Sequence, residues 1–212
     1  MSRPEPLRLM LFDKTCRGPR FAPGLTDAWR AGSVVYGAMG RLDASLGVEN
    51  WSDGLDWLVA QSESRGRRIG EVQYWGHGLR GRALVAREVF DRSALERTHP
   101  LHAKLDAVRS RLVDDGSARW WWRTCETIGG PTGHEFASAL GQFLGARIAG
   151  HTYVIGFWQS GLHELAVGAA PHWSAREGFA TDDPSENSTA LPSTPRAPNT
   201  IHCLQGVVPA GW

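Results

Sequence analysis

The sequence predicts an α/β fold with a mainly parallel central sheet. Short apolar runs of strand length alternate along the chain with longer stretches in which apolar residues recur every three or four positions. This alternation requires crossover connections, which join parallel strands and place helices on both faces of the sheet. The chain has 212 residues, of which 42% are hydrophobic and 21% charged, so it can bury such a sheet within one domain.

The first half of the chain supplies two predicted strands and two predicted helices. Residues 7–12 form an apolar run bounded by proline and aspartate, and we predict them as the first strand. Residues 25–31 have helical composition, and the β-branched run at residues 34–36 is the predicted second strand. Residues 51–64 repeat apolar side chains at helical spacing after a polar start signal, which predicts a helix with one face on the sheet.

The second half continues the alternation. Residues 69–75 and 118–124 are apolar runs predicted as buried strands. Residues 95–113 between them repeat apolar side chains at helical spacing. Residues 133–144 predict another helix, and residues 146–155 another strand.

The pattern weakens after Gly156. Residues 158–173 mix Gly, His, Pro and Trp and predict an ordered loop region. Residues 180–199 are rich in Ser, Thr, Pro, Asp and Asn, which predicts a disordered linker. A short apolar segment at residues 201–208 follows and is of a kind that docks back on the domain. We therefore expect one domain over residues 1–179 and a tail over residues 180–212.

A histidine and a cysteine stand directly after two of the predicted strands. His77 follows one apolar run and lies between Gly76 and Gly78, and Cys125 follows the other. Open parallel sheets build their active sites at such strand ends. A thiolate is a nucleophile, and an imidazole within hydrogen-bond reach can take its proton. We predict a Cys/His nucleophilic centre in which the N–H groups of Gly78 and Cys125 form an oxyanion hole.

Other interpretations of these residues stay open. Cys125 also fits a buried structural thiol, since free cysteine is among the most buried residue types, and His77 fits a hydrogen-bonded turn. Cys16 is a second candidate nucleophile because it too follows a predicted strand, although no Gly-rich helix start comes after it. The histidines after Cys125 lack the spacing of a metal signature, so we predict no metal site.

The chain is rich in tryptophan, with ten in all. Trp120, Trp121 and Trp122 lie in one predicted strand and must point to alternate faces, which predicts packing roles. Trp158 lies in the irregular region after the last predicted strand. Large aromatic side chains in such regions often line clefts, so we predict that Trp158 walls a substrate pocket.

The spacing of these motifs resembles the caspase/gingipain-like cysteine peptidase superfamily, and is most similar to its bacterial CHAT and clostripain branches. His77-Gly78 follows one strand, and Cys125 follows the next strand 48 residues later. The run Thr124-Cys125-Glu126-Thr127-x-Gly129 and the segments at residues 133–140 and 145–150 extend the likeness. It covers residues 69 to about 156. The resemblance implies a caspase-like three-layer sandwich.

The resemblance also implies roles for single residues. Cys125 is the implied nucleophile, which forms a thioester acyl-enzyme; His77 is the general base or proton donor, and Gly78 contributes to the oxyanion hole. Arg123 occupies the position two residues before the nucleophile, which lines the substrate pocket in several members. A guanidinium there favours an acidic substrate residue over a basic one. The implied activity is that of an endopeptidase that cleaves protein or peptide substrates without a cofactor.

The chain departs from the superfamily pattern in two respects. It has no recognisable activation-cleavage linker, and the three tryptophans before Cys125 are bulkier than the usual small aliphatic residues. One alternative is a binding or signalling module that keeps the fold without catalysis. Another is a cysteine-dependent amidase or acyltransferase that acts on a small molecule.

Charge and composition bear on partners and location. The formal net charge of +1 gives little support for nucleic-acid binding, and we expect no such partner. No apolar run approaches the length that spans a bilayer, so we expect no membrane partner. The three cysteines cannot all pair, and no signal-peptide-length apolar stretch precedes Asp13, so we expect a cytoplasmic protein. The tail is compatible with a regulatory partner.

Overall fold

The computed structural model describes residues 5–19, 22–181 and 189–212. The strands of the described chain are β1 (Leu7–Asp13), β2 (Ala44–Val48), β3 (Ile69–Trp75), β4 (His77–Leu79), β5 (Arg82–Val85), β6 (Glu88–Asp91), β7 (Arg119–Arg123), β8 (Arg147–His151), β9 (Trp158–Gln159), β10 (Leu162–Leu165) and β11 (Ile201–His202). The α-helices are α1 (Leu25–Ala38), α2 (Trp51–Arg65), α3 (His102–Arg109) and α4 (Gly130–Leu144).

Six strands form the central sheet in the order β10-β8-β7-β3-β1-β2. The pairs within β2-β1-β3-β7-β8 are parallel, and β10 adds an antiparallel edge. The predicted α/β class with a mainly parallel sheet is confirmed. Strands β4, β5 and β6 form a separate three-stranded antiparallel sheet directly after β3, and β9 pairs with β11.

Alternation along the strands divides the core between the two faces of the sheet. Leu9 and Leu11 on β1 pack in the cluster that helices α2, α3 and α4 cover. Met10 and Phe12, the residues that alternate with them, pack with Tyr36 of α1 on the opposite face. The sheet therefore lies between two layers, because successive side chains of a strand point to opposite sides.

The three consecutive tryptophans follow the same rule, and all are fully buried. Trp120 and Trp122 lie in the large cluster beneath the helices. Trp121 faces the other way and packs with Ile201 and Val208 of the C-terminal segment. The predicted packing role of this run is therefore confirmed.

The second strand is not where the sequence predicted it. Residues 34–36 belong to α1, and the strand that pairs with β1 is β2. In α1, Tyr36 is buried while Val34 and Val35 are 67% and 40% exposed, as expected for one turn of an amphipathic helix. Helix α1 begins where the Asp27 carboxylate accepts a hydrogen bond from the N–H of Gly24, 2.9 Å away. Tertiary packing overrides the weak β preference of the two valines.

The helix predicted over residues 95–113 is shorter than expected. A 3₁₀ turn, Arg92–Leu95, comes first, and α3 covers only His102–Arg109. Pro100 explains the late start, because a proline disfavours helical backbone at the residue before it.

The prediction of a disordered linker is wrong for residues 189–199. The N–H of Ser193 donates to Val154 O at 2.8 Å, and the N–H of Gly161 donates to Pro198 O at 2.8 Å. The Ser193 hydroxyl accepts from the N–H of Ser160 at 2.9 Å. The polar residues that favoured disorder here bond to the backbone of the domain, so composition gave the wrong signal. Residues 182–188 of the predicted linker lie outside the described residues.

Helices of the described ranges all fall short of the length and apolar character that a membrane-spanning helix needs.

Candidate active site at the carboxyl edge of the sheet

The sheet brings His77 and Cys125 to the same edge. Strands β3 and β7 are adjacent and parallel, and Trp75 is the register partner of Arg123. His77 and Cys125 each lie two residues beyond these partners. The carboxyl ends of neighbouring parallel strands therefore place the two predicted reactive side chains at one side of the sheet.

Gly78 is packed directly against the segment that holds Cys125. A Cβ atom at Gly78 would lie 2.7 Å from Cys125 O and 2.7 Å from Thr124 Cβ, and would overlap the Thr127 hydroxyl. Real Cβ atoms essentially never approach other atoms so closely. Glycine is thus required at this position for the two strand ends to meet.

His77 lies at the surface of this edge. Its side chain is exposed, and its ring meets the edge of Trp29 with the ring centres 5.9 Å apart. Within the described residues no hydrogen bond joins the ring to the Cys125 thiol. Hydrogen bonds between catalytic side chains often form only when substrate binds, so a Cys/His pair does not require this bond in the free protein.

Cys125 is partly buried, and its surroundings disfavour the charged thiolate. Burial raises the pKa of the Cys125 thiol, and the neighbouring Glu126 carboxylate raises it further. The Ile155 backbone, whose carbonyl oxygen is 3.9 Å from Sγ, and the amide of Cys125 itself act in the opposite direction. A nucleophile in this state needs a base to remove its proton.

The backbone amide of Cys125 is the first group of the predicted oxyanion hole. An N–H group beside a nucleophile is one half of an oxyanion hole, because it lies near the carbonyl oxygen of a group that the sulfur attacks. The predicted second half, the Gly78 amide, belongs to the residue that packs on the Cys125 backbone.

Arg123 is almost completely buried behind Cys125, at 2% exposed. Its guanidinium lies 4.5 Å from the ring centres of both Trp75 and Trp121. It donates to Gln159 Oε1 at 2.7 Å and also to the Tyr36 hydroxyl.

The C-terminal segment supplies the remaining partners of Arg123. The guanidinium donates to Cys203 O at 2.9 Å and to Gln205 O at 3.3 Å. Burial lowers the pKa of Arg123, although its hydroxyl partner Tyr36 acts in the opposite direction. This buried cation is thus held by neutral oxygens. Within the described chain, no carboxylate lies within hydrogen-bond distance of it.

Trp158 is 38% exposed and lies three residues beyond Ile155, whose carbonyl oxygen contacts the Cys125 thiol. Its ring meets the edge of Phe157, which is 60% exposed, with the ring centres 5.2 Å apart. The two rings form an open apolar surface on the chain segment that borders the thiol.

The rival nucleophile Cys16 lies beside a carboxylate. Its sulfur donates to Asp13 Oδ2 at 3.4 Å. Burial and the Asp13 charge raise the pKa of Cys16 to about 11. Asp13 also accepts hydrogen bonds from the N–H of Thr15 at 2.7 Å and the N–H of Ala86 at 3.1 Å, so it acts as a local backbone anchor.

The histidines that follow Cys125 are engaged elsewhere. His163 Nε2 lies 2.7 Å from Glu177 Oε1, and the His163 ring stacks on Trp173 with the ring centres 4.8 Å apart. His151 is fully buried, and burial lowers its pKa to about 3. Across residues 5–19, 22–181 and 189–212, no group of three or more His, Cys, Asp or Glu residues has the arrangement of a metal site.

Two charged residues at this edge escaped the sequence analysis. Glu126 directly follows Cys125, and Arg80 lies in the turn after β4; their side chains form a buried pair with Arg80 Nη2 and Glu126 Oε2 3.0 Å apart. The signal in the sequence that could have indicated this pair is the presence of opposite charges near the two candidate residues, Arg80 after His77 and Glu126 after Cys125.

Comparison of the chain with protein-family models, curated proteins and solved structures gave no match.

Proposed function

We propose that the protein is a cysteine peptidase of caspase-like type that cleaves peptide bonds through Cys125 and His77. The observation that carries this proposal is the register of β3 and β7, which puts both residues at one edge of the sheet, two positions beyond paired residues. Two further features support a caspase-like arrangement of the layers. The small antiparallel sheet of β4, β5 and β6 follows the histidine strand, and helix α4 follows the cysteine loop.

The reaction begins with a proton transfer. His77 rotates toward Cys125 and accepts the thiol proton, and the sulfur attacks the carbonyl carbon of the scissile peptide bond. The amide N–H groups of Cys125 and Gly78 donate to the oxygen on which negative charge develops.

The tetrahedral intermediate then collapses. The carbon–nitrogen bond breaks while His77 returns the proton to the leaving amine, and a thioester joins the acyl part of the substrate to Cys125. Water, deprotonated by His77, attacks the thioester and releases the acid and the thiol. The exposed position of His77 suits both steps, because the ring must reach the leaving group and then a water molecule.

Arg123 bears on the choice of substrate. A substrate carboxylate would replace the carbonyl groups of Cys203 and Gln205 at the guanidinium and would gain a charge-assisted, bidentate pair. An acidic residue before the scissile bond is therefore the proposed preference. The test compares matched peptides with an acidic or a basic residue at that position in wild type and in Arg123→Lys, which keeps the buried positive charge but loses the bidentate fork. A wild type without an acidic preference, or an equal preference in the two proteins, contradicts this assignment.

A second candidate is a binding or signalling module without catalysis. The raised pKa of the Cys125 thiol favours this candidate. It is also favoured because, within the described residues, no hydrogen bond joins the His77 ring to that thiol.

A peptide with a thiol-reactive electrophile separates the two candidates. We expect labelling of the wild type, much slower labelling of His77→Ala, and none at the site in Cys125→Ala. Labelling that persists undiminished in Cys125→Ala contradicts the assignment of the nucleophile. Equal labelling rates in wild type and His77→Ala favour the non-catalytic module.

A further inference from the structure

A buried ion pair joins the two chain segments that hold His77 and Cys125. Arg80 lies in the turn between β4 and β5, three residues after His77, and Glu126 directly follows Cys125. Arg80 Nη2 and Glu126 Oε2 are 3.0 Å apart, and both side chains are about nine-tenths buried. Burial raises the pKa of Glu126, and the Arg80 charge opposes that rise.

Glu126 holds the backbone after Cys125 in an unusual conformation. Its φ of 43° lies in the left-handed region, which side chains other than glycine seldom adopt. The N–H of Glu126 donates to Tyr153 O at 3.0 Å, and its own carbonyl accepts from the N–H of Gly129 at 2.9 Å. Such a conformation persists only where surrounding contacts fix it, and the ion pair adds a side-chain contact to these backbone bonds.

Arg80 is fixed on its other side as well. Its guanidinium carbon lies 3.8 Å from the ring centre of Phe179, a cation–π contact. The neighbouring Gly81 donates its N–H to Thr127 O at 3.0 Å. The turn after β4 is thus docked on residues 126–127 by one backbone bond and one ion pair.

We propose that Arg80 and Glu126 are positioning residues that hold the His77 turn and the Cys125 loop in their mutual placement. This inference rests on the proposed Cys/His centre and adds two residues to it. In this proposal both side chains act through the placement of His77 and Cys125, and neither contacts the substrate.

A purely structural role for the pair gives a different expectation. Replacing both partners of a buried ion pair with neutral groups of similar size often leaves stability nearly unchanged, because both desolvation costs disappear with the attraction. If the pair only fills space, His77 affects the reactivity of the Cys125 thiol in the Arg80→Met/Glu126→Gln double variant as much as in the wild type. If the pair positions the two segments, that influence falls.

The influence of His77 can be measured without peptidase activity. Iodoacetamide alkylates cysteine thiolates, and peptide-resolved mass spectrometry reports Cys125 separately from Cys16 and Cys203. The measured quantity is the ratio of Cys125 alkylation rates with His77 present and with His77→Ala, at neutral pH. We expect this ratio to be at least about threefold in the wild type, since a nearby imidazole stabilises or forms the thiolate.

In the Arg80→Met/Glu126→Gln background we expect the ratio to fall to less than half its wild-type value. The matched control is Arg92→Met/Glu135→Gln, which removes an ion pair of the same residue types and the same 3.0 Å separation that is about two-thirds exposed. This control should keep the wild-type ratio. An unchanged ratio in the Arg80/Glu126 background overturns the inference.

A conservative variant guards against unfolding of the double variant. Glu126→Asp keeps the negative charge and shortens the side chain by one methylene. It therefore retains the buried pair with a larger separation between the two charged groups. We expect a partial fall in the ratio, and a wild-type ratio in a folded Glu126→Asp protein overturns the inference. A wild-type ratio of one contradicts the Cys/His centre itself, which separates failure of the proposed function from failure of this inference.

Discussion

The Arg123 guanidinium lies 4.5 Å from the ring centre of Trp75, its register partner on the adjacent strand. These two residues precede Cys125 and His77 by two positions each. The pair therefore links the cysteine strand to the histidine strand from within the protein.

Removal of the Arg123 side chain should destabilise the fold. Arg123→Ala leaves the oxygens of Gln159 and Cys203 without their donor and empties the space between Trp75 and Trp121, so we expect a loss of about 3–5 kcal/mol in the free energy of unfolding. Urea unfolding followed by tryptophan fluorescence measures it.

The control for this prediction is Arg109→Ala. Arg109 is half-exposed and pairs with Asp106 at 3.6 Å along one helix, so its loss should cost under about 1 kcal/mol. Equal losses in the two variants contradict the structural role of Arg123.

A methyl group at Gly78 should disrupt the contact between the two strand ends. Gly78→Ala places its Cβ against Cys125 O and Thr124 Cβ, so we expect about 1–3 kcal/mol of destabilisation. Thermal unfolding and the rate of Cys125 alkylation measure the two consequences, and we expect both to change.

Gly37→Ala is the matched substitution. A Cβ at Gly37 meets nothing within 4 Å, and the residue lies in α1, where alanine is the better helix former by about 0.5–1 kcal/mol. We expect unchanged or higher stability and an unchanged rate of Cys125 alkylation. A Gly78→Ala protein that behaves like Gly37→Ala excludes the close approach described above.

His151 should make the fold sensitive to acid. Burial lowers its pKa to about 3 from an ordinary value of 6.5, so between these pH values the unfolded chain binds a proton that the folded protein does not. Stability then falls as pH falls through this window, by as much as ~1.4 kcal/mol per pH unit for one such group. Urea unfolding at several pH values gives the slope.

In His151→Asn we expect a shallower slope, since asparagine does not titrate and can still donate to Ser160 O, which lies 3.1 Å from His151 Nδ1. His202→Asn, at an exposed histidine, serves as the control and should keep the wild-type slope. An identical slope in all three proteins contradicts a buried neutral His151.

Cys16 should react slowly with alkylating reagents. With a pKa of about 11 against an ordinary 9.0, it carries roughly one hundred times less thiolate at a given neutral pH. We expect Asp13→Asn to speed its alkylation, because the carboxylate beside the thiol is gone. Mass spectrometry of the Cys16 peptide during iodoacetamide treatment measures both rates, and fast labelling of wild-type Cys16 would restore it as a rival nucleophile.

The sequence was sufficient for the parts of the fold that depend on local pattern. Residues 69–75 were predicted as a buried strand, and the predicted bounds agree with the observed strand, in which all residues but Gly70 are buried. The hairpin sheet after β3 was missed because its strands have only three or four residues, too short for a periodic signal. The β-branched pair Val34 and Val35 misled because the run continues helix α1, whose buried contact at this turn is Tyr36 and not the two exposed valines.

The surroundings of the site depend on contacts that no local pattern encodes. The guanidinium of Arg123 reaches Tyr36 across 87 positions of the chain and Cys203 across 80. Position along the sequence indicated Arg123 as a pocket residue, but only the folded chain shows that aromatic rings and main-chain carbonyls enclose it. The same holds for Arg80 and Glu126, whose partnership exists only once β4 has folded back on the cysteine loop.

Part of the cover over Trp121 comes from a segment that lies about 80 residues later in the sequence. Ile201 and Val208 close that face of the sheet, and the Arg123 next to Trp121 finds its carbonyl partner 80 residues later. During synthesis, Trp121 emerges from the ribosome long before these two residues that cover it. The part of the sheet around Trp121 thus stays without its Ile201 and Val208 cover until residues 201–208 have been made and have folded back on it.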